Sequence, residues 1–215
     1  MKIAVRHNGS EFERQIARII AQQMPRAIAA TANATAADVR TNTLKRIRRR
    51  FHKPVPYMQR TSVFLLRAFP GRPRAIVGIK DHQALMYGFQ EHGGRRIARR
   101  RRHTGSRSSA EGKMIPVPVK ISRNARDNMT RKAIPRVLRR KDTFQAGRRE
   151  GLKPGIYRRE KGDPENLDLL VRYRRAVRYQ PIFGWQDMAR KTIQARLGIN
   201  FERAVAREIE RGLVR

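Results

Sequence analysis

Residues 26–50 read RAIAATANATAADVRTNTLKRIRRR, and this stretch decides the fold. It holds neither glycine nor proline and is rich in alanine, so nothing in it interrupts a helix. Ile28, Ala32, Thr35, Val39, Thr43 and Ile47 recur at helical spacing as a stripe of mostly small side chains. Such a stripe lets a second helix approach closely. The stretch closes on Arg46, Arg48, Arg49 and Arg50, cations set against the negative end of the helix dipole.

N-terminal to it, Ser10-Glu-Phe-Glu13 has the form of a capping box. Phe12, Ile16, Ile19, Ile20 and Met24 then share one helical face. Pro25 either kinks this helix or begins the next one. The expectation is a helical region over 10–50, broken near Pro25.

The C-terminal region, 184–213, carries Trp185, Ala189, Ile193, Leu197, Phe201, Val205, Ile209 and Leu213 at a strict spacing of four. That row drifts by roughly 40° per step on a helix of 3.6 residues per turn. Gly198 and Asn200 sit within it, and Asn200 can cap a new helix. The spacing therefore predicts an amphipathic helix with a kink or break at 198–200, each half burying its own face.

Between the helices lie strands. Thr61–Phe69 and Arg74–Lys80 are β-prone runs joined by the turn Pro70-Gly-Arg-Pro73. Residues 81–125 read as a basic loop or arm containing Gly93-Gly94, Arg95, Arg96, Arg99, Arg100, Arg101 and Arg102. At its end Ile115, Val117 and Val119 alternate with Pro116, Pro118 and Lys120. Proline cannot donate to a ladder, so this is an edge strand or an extended arm. Residues 122–142 are basic and weakly helical. Ile156–Arg159 and Leu167–Tyr179 read as strands joined by Lys161-Gly-Asp-Pro164, with Arg172, Arg174 and Arg178 on one parity of the second. The order helix, strand pair, loop, strands, helix predicts a single α+β domain over 1–215, with a small antiparallel sheet and long excursions.

Charge narrows the partners. Lys and Arg number 51 against 17 Asp and Glu, a formal net charge of +34 that calls for a counter-charge. No acid occurs between Asp38 and Asp81, where there are 12 Lys or Arg, nor between Glu91 and Glu111, where there are 7 Arg. These stretches, with Arg172, Arg174 and Arg178, are candidate surfaces for DNA phosphates or an acidic protein. The bland alternative is a solvated basic face. Cysteine is absent, which excludes disulfides and thiolate metal sites. The longest strongly apolar run is Val63–Leu66, and the start MKIAVRHNGS resembles no signal peptide, so a soluble protein made in a cytoplasm is expected.

Catalytic motifs are missing. His7, His52, His82, His92 and His103 never fall at the i, i+4 spacing of paired imidazole ligands. Asp163, Glu165 and Asp168 suit a turn better than an acid–base pair. There is no phosphate-binding glycine loop and no nucleophile elbow. The reading is a chain that is not an enzyme and needs no metal or cofactor.

Several segments, taken in order, resemble the minor tail protein Z-like and tail-completion (neck) proteins of tailed phages. They are the Ala-rich helix running into Arg46-Ile-Arg-Arg-Arg-Phe51, the strand ending Ile76-Val-Gly-Ile79, and Gly93-Gly94-Arg95-Arg96. Met114-Ile-Pro-Val-Pro118, the stretch from Asn124 to Asn128 and Lys153-Pro-Gly-Ile-Tyr-Arg-Arg159 follow. The last is Tyr179-Gln-Pro-Ile-Phe183, with the C-terminal helix bearing Phe201 and Ala204. The arginine runs are heavier than that pattern. The resemblance implies a virion protein at the tail or head–tail junction, assembled in the host cytoplasm as a homo-oligomeric ring. Its partners would be portal, adaptor and tail proteins, with sequence-independent contact to packaged DNA and none to membrane. The expected subunit interface is Ile115, Val117 and Val119 together with Trp185, Ile193, Leu197, Phe201, Val205 and Ile209. The rival reading is a non-enzymatic nucleic-acid-binding protein of nucleoid or ribosomal type.

Overall fold

The computed structural model describes residues 9–60, 62–98, 114–147 and 150–213. Helices and small antiparallel sheets make an α+β fold, as expected. The chain divides into two compact units where one domain was expected: Met1–Leu85 with Phe183–Arg215, and Met86–Ile182. Each unit is organised around its own core, one between helices and the other on a sheet.

The first unit is a helical hairpin. Helix α1 (Gly9–Arg18) passes through a π-helical turn, Ile19–Gln23, into α2 (Met24–Arg50). The expected break near Pro25 is absent. Pro25 has no N–H, and its ring would press on the carbonyl of Ala21. The wider turn, in which Met24 N–H bonds the Ile19 carbonyl, carries the helix past that obstacle. Ser10 and Glu13 both lie within α1.

Along α2 the buried row is Ala27, Thr31, Thr35, Val39, Thr43 and Ile47. Four of the expected stripe positions lie on or beside this face, but Ile28 is 41% exposed. Against the row runs α6 (Trp185–Leu213), antiparallel to α2: Trp185 bonds Thr43, Arg196 pairs with Asp38, and Gly212 backs onto Gln23. Helix α6 is uninterrupted through 198–200. Asn200 is not a cap there, because its amide is held by side chains of α2. The short helix α3 (Pro56–Arg60) and the antiparallel hairpin β1 (Val63–Leu66) with β2 (Ile76–Ile79) complete the unit, and Phe69 bridges Arg72 across the turn.

The second unit opens with α4 (Asp81–His92), whose first residues belong to the hairpin unit. Residues 81–92 are thus helical and not loop. Gln83 and Tyr87, a turn apart, are buried, and no proline intervenes. Gly93, at φ 70°, ends the helix in the left-handed region and turns the chain into β3 (Gly94–Ile97). Strand β4 (Ile115–Pro118), helix α5 (Ala133–Leu138), β5 (Thr143–Ala146), β6 (Gly155–Glu160), β7 (Asp163–Arg174) and β8 (Ala176–Tyr179) follow.

Four strands pair in the order β4-β7-β6-β5, while β3 and β8 form a separate two-stranded ribbon. The single strand expected over 167–179 is therefore two strands in different sheets, parted at Arg175. Ile121, Ala133, Ile156, Leu170 and Val171 form the core of this unit, with Ile134, Val137 and Leu138 of the α5 region packed against it. Leu170 and Val171 are adjacent and both buried, so β7 is covered on both faces at this point.

Candidate polyanion and subunit surfaces

The α2–α6 seam is bridged by polar side chains set among small and apolar ones. Trp185 Nε1 donates to Thr43 Oγ1 at 2.9 Å, and Asn42 Nδ2 to Thr192 Oγ1 at 3.1 Å. Arg196 Nε donates to Asp38 Oδ2 at 3.2 Å, and Asn200 Nδ2 reaches the same oxygen at 3.0 Å. The hydroxyls of Thr31 and Thr43 bond back to the carbonyls of Ala27 and Val39, so they are satisfied in the interior. On α6 the buried residues are Thr192, Asn200, Ala204 and Glu208, themselves four apart apart from the half-buried Arg196. Two rows with the same drift can follow one another along both helices, which is why no break is needed.

The consequence for the apolar row is direct. Ile193, Leu197, Phe201 and Ile209 are 43%, 47%, 39% and 37% exposed, and Val205 is half-buried. Within the chain the helix packs by its polar stripe, and the row expected at a subunit interface lies outward. Trp185, expected at the subunit interface, is engaged by the chain itself through Thr43. The apolar face of α1 is also outward, with Phe12 64%, Ile16 40% and Ile20 60% exposed.

The cations fall into two groups. In the hairpin unit Arg48, Arg49 and Arg50 are exposed on the last turn of α2. Arg46 is pinned, its Nε donating to the Phe183 carbonyl while its guanidinium lies over Gly184. Gly184 has φ 54°, and a side chain there would meet that guanidinium. Lys45, Arg46, Arg49 and Arg50, with Asn42 and Met188, line an open cleft of about 450 Å³.

In the second unit Arg95 of β3 stands directly opposite Arg178 of β8, and both are exposed. Like charges so placed repel, an unusual choice in a two-stranded ribbon. Arg96 lies opposite Val177. Arg172 and Arg174 are on β7, opposite Val117 and Ile115, with Arg172 half-buried. Arg178 therefore does not continue their stripe. Arg99, Arg100, Arg101 and Arg102 lie outside the described residues.

The acids that form ion pairs do so elsewhere. Asp168 binds Lys120 at 2.5 Å and Arg158 at 2.6 Å, Asp142 binds Arg140 at 2.8 Å, and Glu208 binds Arg211 at 2.7 Å. The Lys120 ammonium, then the Arg158 guanidinium, hold the Asp168 carboxyl below its usual range. The Asn200 amide, with Arg196 beside it, does the same for Asp38. Among the described residues no ion pair reaches Arg48, Arg49, Arg50, Arg95, Arg96, Arg172, Arg174 or Arg178.

Among the described residues strand β4 pairs with β7 alone and is an edge strand, in keeping with Pro116 and Pro118. Val119 N–H donates to the Leu170 carbonyl, so by alternation positions 116 and 118 face outward. The free edge thus lacks donors at both positions. Ile115 and Val117 are half-buried, and Val119 is 42% exposed.

His52, His82 and His92 are described, and no group of three or more His, Asp or Glu is gathered to hold a metal among the described residues. No helix among them is long and apolar enough to cross a membrane. The polar seam was missed from sequence, and the α1 face was read as one apolar helical face but not as an interface. The row Thr192, Arg196, Asn200, Ala204, Glu208 was the signal for the first. Fold and surfaces together define a cationic α+β protein whose arginines and apolar helix faces both point outward. Compared with protein-family models, curated proteins and solved structures, the chain matches none.

Proposed function

We propose that this chain is a structural virion protein of a tailed phage, a tail-completion or neck component that assembles as a homo-oligomeric ring between connector and tail, and not an enzyme. The observation that carries the reading is the division of charge. Among the described residues, the acids that form ion pairs (Asp38, Asp142, Asp168, Asp187 and Glu208) engage Lys120, Arg140, Arg158, Arg190, Arg196 and Arg211, and none of these pairs reaches the exposed arginines of the α2 terminus or the β3–β8 ribbon. A ring around a DNA channel supplies phosphates to such arginines without any base readout. Apolar helix faces left in water on so charged a chain fit a protein completed by neighbouring subunits.

A second reading, a nucleic-acid-binding protein of nucleoid or ribosomal type, is favoured by Arg95 opposite Arg178, which any polyanion would relieve. The test is an amber codon at Phe201 in the encoding genome, with complementation, followed by electron microscopy of the lysate. Separate heads and tails are the expected outcome. Normal infectious particles, or an encoding genome without portal, capsid or tail genes beside this one, would overturn the reading.

A further inference from the structure

We propose that α1 of one copy docks on the apolar row of α6 in the next copy, so that the ring is closed by head-to-tail contacts between two different patches of this chain. The inference deepens the assembly reading and rests on it.

Helix α1 buries none of its residues, and Phe12, Ile16 and Ile20 are 64%, 40% and 60% exposed. Helix α1 is continuous with α2 through the π turn, and an apolar face left in water on so charged a chain calls for a partner. Among the described residues its own hairpin buries none of this face. The last turn of α6 meets the π turn, where Gly212 backs onto Gln23. The row Ile193, Leu197, Phe201 and Ile209 is meanwhile exposed on α6.

Lengths agree. Phe12 to Ile20 spans about 12 Å of helix and Ile193 to Ile209 about 24 Å, so the arm is accommodated within the row.

Charge selects a second copy as the occupant. In a chain of +34, α1 is neutral, with Glu11 and Glu13 against Arg14 and Arg18. The second half of α6, residues 198–213, is neutral too, with Glu202, Glu208 and Glu210 against Arg203, Arg207 and Arg211. An acidic protein or a nucleic acid gains most at the arginine clusters and little here. Two copies of a strongly cationic chain, in contrast, meet with least repulsion where each is neutral and apolar. Because the two patches differ, the contact is heterologous, and repeated contacts of that kind close into a ring when the rotation between copies divides a full turn.

The chain has no cysteine, which makes the test direct. Ile16→Cys and Phe201→Cys are prepared separately, freed of nucleic acid, mixed and oxidised, and the unaltered chain is sedimented alongside. The expected result is a disulfide joining the two variants that neither forms alone, and a sedimenting mass several times that of one chain. Phe12→Ser and Leu197→Arg, each with helix content checked by circular dichroism, should both lower that mass to a single chain. Cross-linking of the Phe201→Cys variant to itself would show like-on-like packing and overturn the inference. So would an oligomer indifferent to Phe12→Ser, and in both cases the assembly reading survives. A single-chain mass for the unaltered protein sinks both. A single chain whose binding to anionic phospholipid vesicles is lost in Phe12→Ser would give the arm to a membrane instead.

Discussion

Asn200, midway along α6, donates from its side-chain amide to Thr35 Oγ1 at 3.1 Å and to Asp38 Oδ2 at 3.0 Å, both on α2. The residue is 7% exposed, so removing it leaves the buried Thr35 hydroxyl without this donor and the part-exposed Asp38 with Arg196 alone. Asn200→Ala should therefore destabilise the hairpin by about 1–3 kcal/mol, the cost of leaving buried polar groups unpaired. Urea denaturation followed by the fluorescence of Trp185, the chain's one tryptophan, measures it. A change below a few tenths of a kcal/mol would mean the seam is not held by this amide.

The same network predicts acid sensitivity. Asp38 is held below the ordinary carboxylate range by the Asn200 amide and by Arg196. A depressed folded pKa contributes stability that is present above the unfolded value, about 4, and is lost as pH falls through the folded value. Hairpin stability should be flat from pH 7 to about pH 5 and decline below pH 4. Asp38→Asn should be less stable at pH 7 and flatter in acid. Trp185 fluorescence isolates the hairpin from Asp142 and Asp168, whose carboxyls are also depressed but belong to the other unit. An unchanged acid limb in Asp38→Asn would assign the decline to other groups.

Arg95 facing Arg178 predicts opposite signs for stability and binding. Arg95→Gln relieves a like-charge cross-strand pair, so the free protein should gain up to about 1 kcal/mol. Affinity for duplex DNA should fall at the same time, and the slope of log affinity against log salt should shrink by about one phosphate contact, with no change in base preference. Thermal melts and salt titrations on one preparation check both. Unchanged affinity would turn these arginines toward an acidic protein partner.

The blunted edge of β4 can be tested by restoring its donors. Pro116→Thr together with Pro118→Thr supplies outward N–H groups to a strand whose other side is already paired with β7. Light scattering should show strand-mediated association that the parent lacks. An equally well-behaved double variant would mean that the edge is covered by something other than proline chemistry.

Some features were legible because the physics is local. The absence of glycine and proline over 26–50, the Pro-Gly-Arg-Pro turn and the alternation at Ile115–Val119 each constrain the backbone within a few residues, and each element stands where it was expected. Net charge is a sum over the chain, so the need for a counter-charge was also available from composition. The error came where a rule about one helix met a choice between faces. Hydrophobic spacing on α6 correctly marked one row as apolar, yet it carries no information about which row another part of the same chain will cover. That was decided by α2, whose small residues at Ala27, Thr31, Thr35 and Thr43 allow close approach and whose Asp38 and Asn42 offer hydrogen bonds. Thr192, Arg196 and Asn200 answer them, and the apolar row is left outward. The pairing of Arg95 with Arg178 likewise depends on a strand register across more than eighty residues of chain, which only the folded structure establishes.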